Sequence, residues 1–161
     1  MAHFNPAVSL GFPITKHITK IQLLYYLIAE MTGALLGGLF VKFLIGSNAN
    51  LGANAPNYSY PSPFIFGIEV LASALLMAVI LVVVHTKGLR GFSGIAIGGI
   101  VGLDIFFLAF ISGASMNLAR SLAPALFSGA FGNLWLYFTA TFTGTSAVAL
   151  ILSKFENKFE K

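Results

Sequence analysis

His3-Phe4-Asn5-Pro6-Ala7-Val8-Ser9 and Ser115-Met116-Asn117-Leu118-Ala119-Arg120-Ser121 set the same asparagine, alanine and serine 112 residues apart. In each copy a polar Asn leads into an apolar run of only about 10 residues, half of the ~20 helical residues that cross a hydrocarbon core. Each run reads as a half-helix that enters the membrane and stops. The register continues past these runs. Leu10 and Leu122, Leu24 and Leu136, Tyr25 and Tyr137, Lys42 and Lys154, and Phe43 and Phe155 recur at the same offset.

The chain of 161 residues is 57% hydrophobic and 9% charged, with a mean hydropathy of +0.89. A soluble domain of that composition would expose too much apolar surface, so the chain belongs in lipid. Cysteine is absent, which excludes disulfides and thiolate metal sites, and no metal or cofactor is expected. The net charge of +4 comes from scattered residues with no basic patch among aromatics, so nucleic acid is not an expected partner.

Four stretches are long enough to span a bilayer: 18–45, 64–85, 91–112 and 132–153. Alternating spans put Lys16, Lys20, Lys87, Arg90, Lys154, Lys158 and Lys161 at one set of ends and only Lys42 and Arg120 at the other. That bias predicts a cytoplasmic start and C-terminus and an external polar loop over 46–63. Met1 stands five residues before Pro6, too close for a secretory signal peptide. Three crossings separate the two half-helices, so they are expected to enter from opposite faces as in an inverted repeat. Two spans precede the second half-helix and none the first, which implies a first repeat short of about two helices. The expected organisation is the remainder of the first repeat over 1–45, the external loop over 46–63, the second repeat over 64–153 and a cytoplasmic tail over 154–161.

The His3-to-Val8 motif, the Ser112-to-Leu126 block, the start of a span at Tyr25-Tyr26-Leu27-Ile28-Ala29-Glu30 and Trp135-Leu136-Tyr137 resemble the aquaporins, or major intrinsic proteins. The resemblance covers nearly the whole chain. It implies an all-α membrane protein, an aquaporin-like bundle of four transmembrane helices and two re-entrant half-helices, lacking the first two helices of a six-helix inverted repeat. It also implies a multi-pass protein, of the plasma membrane by expectation, whose complete fold is a homotetramer with one pore per subunit.

The two asparagines carry a physical argument of their own. An N-cap Asn accepts backbone N–H groups through its side-chain oxygen, leaving its amide N–H groups to donate outward. Two half-helix N-termini meeting at midplane each add about half a positive charge. Water there accepts from Asn5 and Asn117 and cannot form a continuous donating chain, while the positive ends repel cations. Asn5, Pro6, Ala7, Asn117, Leu118 and Ala119 are the expected midplane residues. Leu118 departs from the proline usual in the family and predicts a slightly looser constriction.

Arg120 lies one turn beyond Asn117, and a buried arginine needs a wet path or a partner. By resemblance it belongs to an outer selectivity filter with Ala114 and Ile105, and His3 lines the cytoplasmic vestibule. Ile105 replaces the histidine of many water-selective members, which favours passage of small neutral solutes. Ser121, Ala125 and the Tyr137-Phe138 pair pull toward water. Glu69 matches an acid that braces the second re-entrant loop. Glu30 stands where the family commonly has Gln and is expected as a neutral, protonated hydrogen-bonder between helices, and the direction of Asp104 stays open. Gly33 and Gly37, and Gly94, Gly98 and Gly102, predict small-residue faces for close packing. Trp135, Tyr25 and Tyr137 are expected as interfacial anchors, and His17 and His85 as interfacial. Asn57-Tyr58-Ser59 is an N-glycosylation sequon in the external loop.

The expected function is passive conduction of water, with small neutral solutes such as glycerol also passing and protons and ions excluded, in contact with the lipid bilayer. No enzyme is expected. Gly91-Phe92-Ser93-Gly94 fits an intramembrane serine protease pattern, but His3, His17 and His85 all precede Ser93, and the histidine base such an enzyme needs on a later helix is missing. A proton-coupled transporter using Glu30, Glu69 and Asp104 is the rival function, and a truncated, non-conducting fragment is the third reading.

Overall fold

In a computed structural model that describes residues 3–86 and 88–155, four long helices surround two short ones. The short helices are α1, Pro6–Ile14, and α5, Leu118–Ser128. The long ones are α2, Lys20–Leu44; α3, Ser62–His85; α4, Ser93–Ser112; and α6, Leu134–Ser153. Their bounds fall within two residues of the spans read from hydropathy. At nine and eleven residues, α1 and α5 reach about half a membrane thickness. Lys87, Lys158 and Lys161, counted in the charge bias, lie outside the described residues, as do 156–161 of the tail.

Local chemistry sets the boundaries. Thr19 and Gln22 open α2 with a reciprocal capping box: the Gln22 N–H reaches Thr19 Oγ1 at 3.2 Å and the Thr19 N–H reaches Gln22 Oε1 at 2.8 Å. Helices α4 and α5 close on Gly113 and Gly129, whose φ values of 87° and 80° are cheap only for glycine. In α6, Thr141 and Thr145 donate to carbonyls one turn back at 2.7 and 2.9 Å, so their buried hydroxyls need no partner from another helix.

Each half-helix lies against both α2 and α6, the last long helix of each repeat, while α3 packs between α6 and α4. The core gathers Val8 and Phe12 of α1, Leu76, Met77, Ile80 and Leu81 of α3, Ala149 of α6, and Met116. In lipid, where tails are as apolar as leucine, such contacts hold helices together by fit and dispersion more than by exclusion of water.

Close approach falls on glycines the sequence pattern did not single out. A Cβ on Gly144 would strike the Val70 carbonyl oxygen and lie 3.0 Å from Ser73 Cβ, so α6 rides directly on the α3 backbone. A Cβ on Gly38 would lie 2.9 Å from the Phe127 ring, joining α2 to α5. Gly33, Gly37, Gly94, Gly98 and Gly102 have nothing within 4 Å of an added Cβ, so the expected close-packing faces touch no helix of this chain. Among the helices of the bundle α2 packs against the two half-helices, and it has no buried residue. Tyr137 corrects another expectation. It is 1% exposed, and its hydroxyl donates to the Ser112 carbonyl at 2.7 Å, which makes it a buried tie between α6 and the end of α4. Trp135 and Tyr25 are exposed.

Candidate functional site

The two half-helices meet tip to tip, and their caps are nearly identical. Asn5 has φ −154° and ψ 112°, and Asn117 has φ −152° and ψ 113°. Asn5 Oδ1 accepts the N–H groups of Ala7 at 3.0 Å and Val8 at 3.4 Å. Asn117 Oδ1 accepts those of Ala119 and Arg120 at the same two distances. Each cap also reaches across: Asn5 Nδ2 donates to the Met116 carbonyl at 2.7 Å and Asn117 Nδ2 to the Phe4 carbonyl at 2.8 Å. One N–H of each amide is therefore committed to the opposing loop, and one is left to donate elsewhere, where sequence reasoning had left both free. The crossed bonds are equally short although Leu118 stands where the first copy has Pro6. The N–H that leucine restores at the first helical position is not part of the cap, which takes the N–H groups of Ala119 and Arg120.

Both loops are braced by an acid on a long helix. Glu69 of α3, fully buried, accepts the Met116 N–H on Oε1 at 2.6 Å. Glu30 of α2 accepts the Asn5 N–H at 3.2 Å and the Ser9 hydroxyl at 2.6 Å, also on Oε1. The second loop has further ties. Ser121 Oγ bonds to Ser115 Oγ and donates to Asn54 Oδ1 at 3.0 Å, and Asn54 Nδ2 donates to the Gly113 carbonyl at 2.8 Å. Sequence reasoning missed Asn54, for an asparagine in a polar loop carries no signal of its own.

Three cavities run along the half-helices. The first, about 520 Å³, is lined by His3, His17, His85, Arg90, Gln22 and Tyr26 among others, and the second, about 460 Å³, by His3, Tyr26, Glu30, Asn117, Ala119 and Arg120. The third, about 190 Å³, takes Ala34, Gly37, Val41, Leu51, Ala119 and Arg120. Shared walls, His3 with Tyr26 and then Ala119 with Arg120, place the three in series. All three histidines thus meet at one mouth, and the rings of His17 and His85 stand 3.8 Å apart. The turn after α1 brings His17 against the end of α3, which carries His85.

The remaining expected residues fall as follows. Arg120 is exposed at the joint of the second and third cavities. Asn5, Pro6 and Ala7 are buried beneath the tip, and Leu118 is half-buried. Ala114 is fully buried and packs into the core, so its methyl lines none of these cavities. Ile105 lies 41% exposed on α4, away from them. Asp104 turns inward and is 3% exposed. Lys42, one of two cations at the sparsely charged end, donates to the Phe127 carbonyl at 3.2 Å near the end of α5. Among the described residues no group of three or more His, Asp or Glu could hold a metal ion.

Two capped half-helices joined tip to tip among four apolar helices of spanning length define an integral membrane protein with re-entrant segments. The model of the major intrinsic protein family matches residues 1–152. The chain is 39% identical over 150 residues to aquaporin NIP3-1 of Arabidopsis thaliana, covering 89% of this chain and 46% of that protein. It is 36% identical over 145 residues to aquaporin NIP2-1 of Oryza sativa subsp. japonica, covering 89% and 48%. To nodulin-26 of Glycine max it is 34% identical over 151 residues, covering 92% and 55%. It spans about half the length of these curated relatives. The solved aquaglyceroporin of Plasmodium falciparum shares the fold, with a TM-score of 0.73 at 24% identity over 98% of this chain and 72% of that one. The chain belongs to the major intrinsic protein family.

Proposed function

We propose that this chain forms the wall of a passive transmembrane water channel that also passes small neutral solutes such as glycerol and excludes protons and ions. The observation that carries the reading is the crossed pair of cap amides, Asn5 to the Met116 carbonyl and Asn117 to the Phe4 carbonyl. It fixes two half-helix N-termini against each other inside lipid, where their partial positive charges oppose cation entry and their remaining amide donors orient water. Cavities in series along the half-helices supply the path, and Arg120 at the joint of two of them supplies the filter cation. Glu30 and Glu69 accept backbone N–H groups, which favours braces over the proton relay of a coupled transporter.

In this reading the half-helices, Arg120 and His3 belong to the conduit, and the ends bearing Lys16, Lys20 and Arg90 face the cytoplasm with the C-terminus. The assembly is a homotetramer in the plasma membrane. A second reading rests on α2: with no buried residue on it, the conduit closes only when further protein covers that helix, and the chain by itself does not conduct.

Stopped-flow shrinkage of vesicles holding the chain, with a pH dye inside, tests the proposal. Water permeability well above that of empty vesicles, without proton leak, is the expected result. Flow equal to that of empty vesicles favours the second reading, and proton flux that follows solute flux sinks both.

A further inference from the structure

The two re-entrant loops are braced from positions that the internal repeat does not relate. Glu69 sits on the first long helix of the second repeat, whereas Glu30 sits on the helix that follows the first half-helix. The residue 112 positions after Glu30 is Phe142, which carries no such group. Glu30 also connects to a histidine, which Glu69 does not. Its Oε1 takes both the Asn5 N–H and the Ser9 hydroxyl, and Ser9 Oγ is in turn 2.9 Å from His3 Nδ1.

The direction of this chain follows from counting hydrogens. Ser9 has one hydroxyl hydrogen, and it goes to Glu30, so Ser9 Oγ meets His3 as an acceptor and His3 Nδ1 carries the proton. His3 Nε2 is buried and has no hydrogen-bond partner among the described residues. A bare lone pair there is the cheaper choice, since an unpaired buried N–H is the rarer and costlier orphan. Stacking clamps the imidazole on both sides, with the Phe12 and Tyr26 rings each 4.2 Å from it. His3 is also the wall shared by the first two cavities.

We infer that Glu30 is a positioning residue for the conduit: it holds the tip of the first half-helix through the Asn5 N–H and, through Ser9, holds His3 as the neutral Nδ1–H tautomer at the joint of two cavities. This rests on the channel reading for its consequence but not for its geometry. The essential property is the acceptor oxygen, so Gln at this position retains the function and a residue without an acceptor loses it. Without Glu30 the Ser9 hydroxyl turns to His3 Nδ1, the tautomer is no longer fixed, and the Asn5 N–H is stranded.

The test compares the full chain with Glu30→Gln, Glu30→Ala and Ser9→Ala in vesicles, reading the imidazole nitrogen signals of His3 by ¹⁵N magnetic resonance and water permeability in the same samples. Glu30→Gln should keep the Nδ1–H signature and the native flow. Ser9→Ala should give mixed tautomers. Glu30→Ala should do the same and lower permeability below that of Glu30→Gln, since the Asn5 N–H at the half-helix tip then has no acceptor. His3 signals unchanged in Glu30→Ala, or Glu30→Gln as disruptive as Glu30→Ala, overturn the inference. If Glu30→Ala does not fold, native signals in Ser9→Ala overturn it. An unsubstituted chain that shows the Nδ1–H signature but no water flow defeats the channel reading and leaves the positioning role standing.

Discussion

Phe4 and Met116 have the same backbone φ of 55°, and the carbonyl of each accepts the cap amide of the opposite half-helix. Left-handed backbone is costly for residues with a side chain, and here it occurs twice, one position before each cap asparagine. The conformation turns each carbonyl toward the other half-helix, where an Asn amide meets it. Surroundings differ sharply: Met116 is 3% exposed beside Glu69, whereas Phe4 is 79% exposed.

Asn117→Ala removes an N-cap and strands the Phe4 carbonyl together. The expected loss is about 0.5–2 kcal/mol from the cap alone, with water flow falling in step. Thermal unfolding in detergent and stopped-flow traces on the same preparation check this; an unchanged melting temperature contradicts it.

Leu118→Pro should be silent. Position 118 is the first residue of α5, where proline's fixed φ suits the helix and the lost N–H is not used by the cap. Stability within about 0.5 kcal/mol of the parent and unaltered permeability are expected, and a large fall in either shows that the leucine side chain does more than fill space.

Lys42→Met tests the cation near the end of α5. The lysine donates to the Phe127 carbonyl and stands 5.9 Å from its ring, so losing it costs about 0.3–1 kcal/mol, while Lys42→Arg retains most of the effect. Hydrogen exchange localised to 125–129 should quicken in the methionine variant only.

Gly144→Ala and Gly94→Ala should diverge. The first drives a methyl into the α3 backbone and costs about 1–3 kcal/mol; the second meets open space and leaves the melting temperature within a degree or two. Equal effects would mean that the α3–α6 contact is not as close as drawn.

Arg120→Val removes the charge at the joint of the second and third cavities. The ratio of glycerol to water permeability should rise and proton leak should appear, since the cation both narrows the path and repels positive charge. A ratio unchanged from the parent places the filter elsewhere.

Hydropathy and repetition alone determined the four spans, the two half-helices and both cap asparagines, because a run too short to cross lipid and a cap residue before it are local properties of the chain. The hydrogen bond of Glu69 to the second re-entrant loop was also legible, through the family pattern. Tertiary structure alone decided the rest. It put three histidines from distant turns at one mouth, buried Ala114 and Tyr137, and set Asp104 inward. It chose Gly38 and Gly144 as contact points while leaving the regular glycine stripes bare. It also bent Phe4 and Met116 into left-handed backbone, which no propensity of phenylalanine or methionine suggests. Such features depend on which helix faces come together, and a one-dimensional pattern specifies faces without specifying their partners. The crossed amide bonds exist only once the two tips have met.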